Sequence, residues 1–96
     1  MNDKIGRTIS RGQIVAIGKR QGNDGALDLG VVDHVDAGRV SVFYTNARYS
    51  FQRTPSKPRR GGCSDNRRVL IIDDLPRNEN TYALLDLRDS MVGDNN

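Results

Sequence analysis

Apolar residues in this chain fall into short, well-separated runs, each with its own period. Residues Gln13 to Ile17 are continuously apolar after the first position, the pattern of a strand buried on both faces. A second strand is read from Leu27 to Asp36. A third, Arg39 to Tyr44, alternates cleanly, with Val40, Val42 and Tyr44 on one face and Ser41 and Phe43 on the other. Between the second and third, Asp36-Ala37-Gly38 is a hairpin turn, because Gly38 can take the positive φ that such turns require. Arg48 to Arg53 reads as a fourth strand, with Tyr49 and Phe51 alternating against Arg48, Ser50 and Gln52. Arg67 to Asp73, apolar at its centre, reads as a fifth.

The segments between these runs carry loop chemistry. Gly18 to Gly25 sets Lys19, Arg20, Asn23 and Asp24 among glycines. Residues 54–66 hold prolines and a Gly-Gly step that predict a long loop without regular structure. Residues 1–10 are polar apart from Ile5 and Ile9 and are expected to form a loose arm. Pro76 ends the fifth strand. Beyond it Leu84, Leu87 and Met91 recur at helical spacing, with Asn80 or Thr81 as the cap and Gly93 as the stop. This stripe is expected to cover an open edge or end of the sheet. A sixth strand from Thr81 to Leu87 is the alternative. The division expected is an arm at 1–10, a β domain at 11–75, and an acidic helix and tail at 76–96.

Composition narrows the function classes. Ninety-six residues make one small domain with a thin core. One cysteine, Cys63, leaves no internal disulfide and no cysteine-based zinc site. The start has no apolar stretch resembling a secretory signal, and the longest apolar run, Val69 to Ile72, is far too short to span a bilayer. A cytoplasmic protein is expected, without a membrane or a cofactor. The formal net charge of +3 conceals a split. Residues 1–72 carry thirteen Lys and Arg against six Asp, a balance of +7, and residues 73–96 carry two Arg against six acids, a balance of −4.

From Gly12 to Tyr44 the chain resembles the SH3-like barrel group, and within it a KOW-type opening. The residues carrying the likeness are Gly12-Gln13-Ile14-Val15, Gly25, Gly30-Val31-Val32-Asp33-His34-Val35 and Val40-Ser41-Val42. The resemblance spans roughly residues 11–73 and extends to small phage-encoded proteins. It implies an all-β, five-stranded SH3-like barrel, to which the spacing of Leu84, Leu87 and Met91 adds a short C-terminal helix. It also implies a module that binds RNA, DNA or another protein. The loops at 18–25 and 54–66 are longer than in that group, which sets the chain apart from ribosomal and elongation-factor members.

The strongest chemical feature is basic. Arg48, Arg53, Lys57, Arg59, Arg60, Arg67 and Arg68 fall between residues 48 and 68, opposed there only by Asp65. Guanidinium forks match phosphate oxygens, and each contact releases counterions. Tyr49, Phe51 and Phe43 are near enough in sequence to offer stacking on unpaired bases, with Tyr49 and Phe43 the chief candidates. The first expectation is therefore a non-catalytic module binding nucleic acid. The others are a protein-interaction or inhibitor module for an acidic partner, a subunit of an oligomer, or a solvated loop. The loop at 18–25 lacks the Gly-Lys-Ser/Thr ending of a phosphate cradle, although Lys19 and Arg20 would extend a basic surface. His34, between Asp33 and Asp36, reads as a surface or half-buried residue, since adjacent strand residues point to opposite faces. Asp73 and Asp74 read as strand termination, and Cys63 as an exposed thiol in a basic loop.

Overall fold

The computed structural model describes residues 1–21, 24–45 and 57–93. Its strands are β1 (Ile14–Gln21), β2 (Asp24–Asp36), β3 (Arg39–Tyr44), β4 (Arg59–Cys63) and β5 (Val69–Ile71), followed by the helix α1 (Tyr82–Gly93). They form one antiparallel sheet in the order β4-β3-β2-β1-β5. β4 and β5 are not hydrogen-bonded to each other, so the sheet is open. It nevertheless curls, because Cys63 from one edge strand and Val69 and Ile71 from the other share one buried cluster with Val15, Ile17, Val32, Val40, Val42 and Tyr44.

The alternation read in β3 holds. Val40, Val42 and Tyr44 enter that cluster, while Phe43 packs on the opposite face. The second face is covered by α1, whose Leu84, Leu85 and Met91 pack with Ile14 and Val31. The helix thus lies on a face of the sheet, not across an edge or end. Apolar strands with two buried faces need a second cover, and the stripe on α1 supplies it. Thr81 stands just before the helix, and its carbonyl accepts the Leu85 N–H at 3.0 Å. Its hydroxyl accepts the Asn78 N–H at 3.0 Å and donates to the Pro76 carbonyl.

Several boundaries differ from the sequence reading. The glycine-rich loop at 18–25 is largely strand, since β1 and β2 pair from Ile14↔Val31 out to Gln21↔Asp24. The strand expected at Arg48 to Arg53 lies outside the described residues. The fourth strand instead runs through Arg59–Cys63, inside the segment expected to be irregular. Gly61 and Gly62 do not break this strand, because their neighbours use the space a side chain would take. A Cβ on Gly61 would stand 2.5 Å from Cε2 of Tyr44, and one on Gly62 would stand 2.8 Å from both the Val40 carbonyl and an Arg39 nitrogen. The aromatic ring laid over an edge glycine supplies the packing that the glycine lacks. Residues 66–68 form a 3-10 turn ahead of a β5 shorter than expected, with the Asp65 carboxylate accepting the Arg67 N–H at 3.1 Å.

Residues 1–10, expected to be loose, are fastened along the outer edge of β5. Ile9 is buried in the main cluster, and Asp3 is only 1% exposed. The Asp3 carboxylate accepts the N–H groups of Ile5 (3.2 Å), Arg7 (2.9 Å) and Ile71 (3.0 Å). Lys4 donates its N–H to the Val69 carbonyl at 2.7 Å, and the Arg7 guanidinium donates to the Ile71 carbonyl at 2.6 Å. An edge strand's unpaired backbone groups invite pairing with other chains. Here a turn and one buried carboxylate satisfy them.

Candidate functional site

Among the described basic residues, the two arginines of β4 face opposite sides of the sheet. Arg60 lies over the Phe43 ring, 5.1 Å from its centroid, and its guanidinium is 2.9 Å from the Asp33 carboxylate. Arg59 turns to the other face. It sits 4.6 Å over the Tyr44 ring and 3.9 Å from Asp28. Both β4 arginines are thus engaged by carboxylates of β2, and each lies over an aromatic ring. Phe43, expected to stack, is half-buried beneath Arg60 and among the residues facing α1. Arg48, Tyr49, Phe51 and Arg53 lie outside the described residues.

A bulge in β2 creates the Arg60–Asp33 pair. Val32 pairs with Val42 and His34 with Ser41, leaving Asp33 as the extra residue. The bulge also overturns the expectation that Asp33 and His34 point apart. The Asp33 carboxylate lies 3.2 Å from His34 Nδ1. On its other side His34 Nε2 is 3.3 Å from Asp36 and 3.4 Å from the Ser41 hydroxyl. A serine, a histidine and two aspartates therefore meet, with both His34 ring nitrogens facing carboxylates. No group of three metal-ligating side chains converges among the described residues.

A second group assembles at the root of the β1–β2 ribbon. Arg68 donates from Nε to the Gly18 carbonyl at 2.7 Å, and Gly18 follows Ile17, the partner of Asp28. Arg59, Asp28, Gly18 and Arg68 are therefore contiguous, and Arg67 adjoins them, 81% exposed. Its partner Asp65, 3.1 Å away, is held below the usual carboxylate range by hydrogen bonds from the Arg67 side chain and backbone. Lys57 is exposed two residues before β4. Among the described residues no carboxylate pairs with Arg68 or Lys57. Tyr44 lies under this group, fully buried. Burial above all, with help from the Asp28 charge and against Arg59 and Arg68, pushes its hydroxyl up to about 12.

Three described acids of the C-terminal segment pair elsewhere. Asp86 and Asp89 pair with Arg77 at 2.7 and 3.4 Å, and Asp73 pairs with Arg7 at 2.5 Å. Cys63, read as exposed, is buried in the main cluster.

A family model described as a domain of unknown function, DUF7205, matches residues 1–64. The chain belongs to the DUF7205 family. The match takes in the fastened N-terminal turn and β1 to β4, so in DUF7205 terms Arg59 and Arg60 lie inside the matched part while Arg67 and Arg68 lie beyond it. No curated protein and no solved structure matches the chain.

Proposed function

We propose that this chain is a non-catalytic, SH3-like binding module that contacts nucleic acid through the cations around the root of the β1–β2 ribbon. The observation that carries the reading is the placement of Arg68 on the Gly18 carbonyl, next to exposed Arg67 and close to Arg59. Lys57 would join them, and so would Lys19 and Arg20 on the ribbon. Arg60 is assigned a structural part, because it is paired with Asp33 across a bulge. Contacts of this kind grip phosphates and carry little sequence information.

The test is fluorescence anisotropy with labelled single- and double-stranded oligonucleotides. At about 50 mM salt binding is expected, and it should weaken steeply toward about 200 mM. Reversing Arg67 and Arg68 to Glu should lower affinity at least about tenfold, while Arg60→Glu should lower it far less. Undetectable binding of every oligonucleotide at low salt would remove this reading. A protein partner is favoured by a different observation. β4 is an edge strand with no described strand beyond it, where an extended peptide could add. Retention of a single protein from nuclease-treated lysate, lost on Gly62→Pro, would support that alternative.

A further inference from the structure

We infer that Asp65 is a built-in competitor for the phosphate seat of Arg67, a carboxylate that fills the guanidinium fork until a phosphate displaces it. This rests on the nucleic-acid reading above and adds to it a control on one contact of the same site. The Asp65 carboxylate takes Arg67 at three points. Its Oδ1 accepts the backbone N–H at 3.1 Å and the side-chain Nε–H at 3.1 Å, and its Oδ2 accepts from a terminal guanidinium nitrogen at 3.1 Å. Two side-by-side bonds from one guanidinium to two oxygens of one anion are also the geometry in which arginine takes a phosphate. The seat is therefore formed before a ligand arrives, and the carboxylate stands in it.

The contact is built to yield. The Arg67 side chain is 81% exposed and that of Asp65 34%, so water and salt screen the pair and it adds little to stability. The turn is closed by bonds that do not use the guanidinium. The Asp65 carbonyl accepts the Arg68 N–H at 3.0 Å and the Cys63 thiol at 3.4 Å, and the carboxylate holds the Arg67 N–H. The Arg67 side chain can leave without undoing any of them. Arg68 next to it is in the opposite condition. Its Nε–H goes to the Gly18 carbonyl, a neutral acceptor that leaves the positive charge unmatched. Of two consecutive arginines, one offers its charge openly and the other has it answered by a carboxylate. A phosphate on Arg67 must compete with that carboxylate, which stays ionised at neutral pH because hydrogen bonds from Arg67 hold its carboxyl low. Two unit negative charges about 6 Å apart in water repel enough to weaken binding about threefold. Breaking an exposed ion pair weakens it by about a similar factor.

The experiment compares the full wild-type chain with Asp65→Asn, which keeps an oxygen for the Arg67 N–H and removes the charge. Anisotropy with a labelled single-stranded oligonucleotide at about 50 mM salt should show Asp65→Asn binding about three- to tenfold tighter. The slope of log affinity against log salt should steepen by about 0.7, the value of one further phosphate contact on a single strand. In an Arg67→Ala background the same Asp65→Asn change should alter affinity less than about twofold, because the contested fork is gone. On the wild-type chain, the Asp65 carboxyl carbon resonance should move on saturation with the oligonucleotide as the Arg67 side chain leaves it. An equal gain in both backgrounds is a general charge effect and overturns the competitor. Unchanged or weaker binding by a folded Asp65→Asn chain overturns it too, and so does an Asp65 resonance that stays in place. That last result is read on the wild type, whatever the variants do to folding. A wild-type chain that binds no oligonucleotide is a separate result, which removes the nucleic-acid reading itself and the competitor with it.

Discussion

Asp3→Ala is the sharpest probe of how this small sheet is held together. The carboxylate accepts the Ile71 N–H of β5, which is buried, and the Ile5 and Arg7 N–H groups of the turn, and it lies 3.2 Å from the Arg7 guanidinium. Leaving a buried donor without an acceptor costs about 1–3 kcal/mol, and each partly buried turn bond adds about 0.5–1.5 kcal/mol. The expected loss is about 3 kcal/mol, a large part of the roughly 5–15 kcal/mol of a typical domain. Urea unfolding followed by far-UV circular dichroism measures it. With an m-value of about 1.5 kcal/mol/M the midpoint should fall by about 2 M. The effect should also depend on pH. Burial raises the Asp3 carboxyl, but the N–H groups of Ile71, Arg7 and Ile5 and the Arg7 charge outweigh it and hold the group below its ordinary value. A carboxyl depressed in the folded state stabilises fully above its unfolded value of about 3.9 and loses that contribution as pH falls through the folded value. Wild type and variant should therefore converge in strong acid. A variant within about 0.5 kcal/mol of wild type at neutral pH would refute the reasoning, because this is the range of an ordinary surface change.

Three further outcomes follow from the same geometry. Gly61→Ala places a methyl against the buried Tyr44 ring and should cost about 1–3 kcal/mol in urea unfolding, whereas Arg77→Ala, which breaks an exposed pair with Asp86, should leave the unfolding midpoint nearly unchanged. Absorbance at 295 nm should show one tyrosine protonated until pH about 12. Because Tyr44 is raised in the folded state, its stabilising contribution is whole below about pH 10 and drains away as pH climbs toward about 12, so Tyr44→Phe should flatten the alkaline loss of stability. Gly38→Ala, at a φ of +77°, should cost about 1–2 kcal/mol by the same unfolding assay.

The sequence discloses local periodicity and conceals pairing across it. β3 was legible because its alternation matches a strand with two different faces, and the Asp36–Gly38 turn because its glycine has a positive φ. The apolar stripe at Leu84 and Met91 showed a helix, though not which surface it covers. β4 was hidden because Arg-Arg-Gly-Gly-Cys has poor strand propensity alone and gains its packing from Tyr44 across the ladder. The capture of Arg59 and Arg60 was equally hidden, since it depends on register and on a bulge that re-aims Asp33. Asp3 resembles any polar residue of a free terminus, and only the neighbouring β5 edge makes it structural. The cations at 67 and 68 were recognisable as basic, but their place beside Gly18 arises from the turn at 66–68.

The bulge in β2 also governs which insertions and deletions the strand tolerates. Val32 and Val35 reach the same cluster although three positions separate them, because Asp33 is a supernumerary residue between two segments of opposite parity. Excising Asp33 alone would restore strict alternation and leave both segments facing as they do now, at the expense of Arg60's partner. Losing or gaining one residue elsewhere in β2, without a compensating bulge, would turn one segment inside out. Across related chains, single-residue length changes in this strand should therefore gather at position 33.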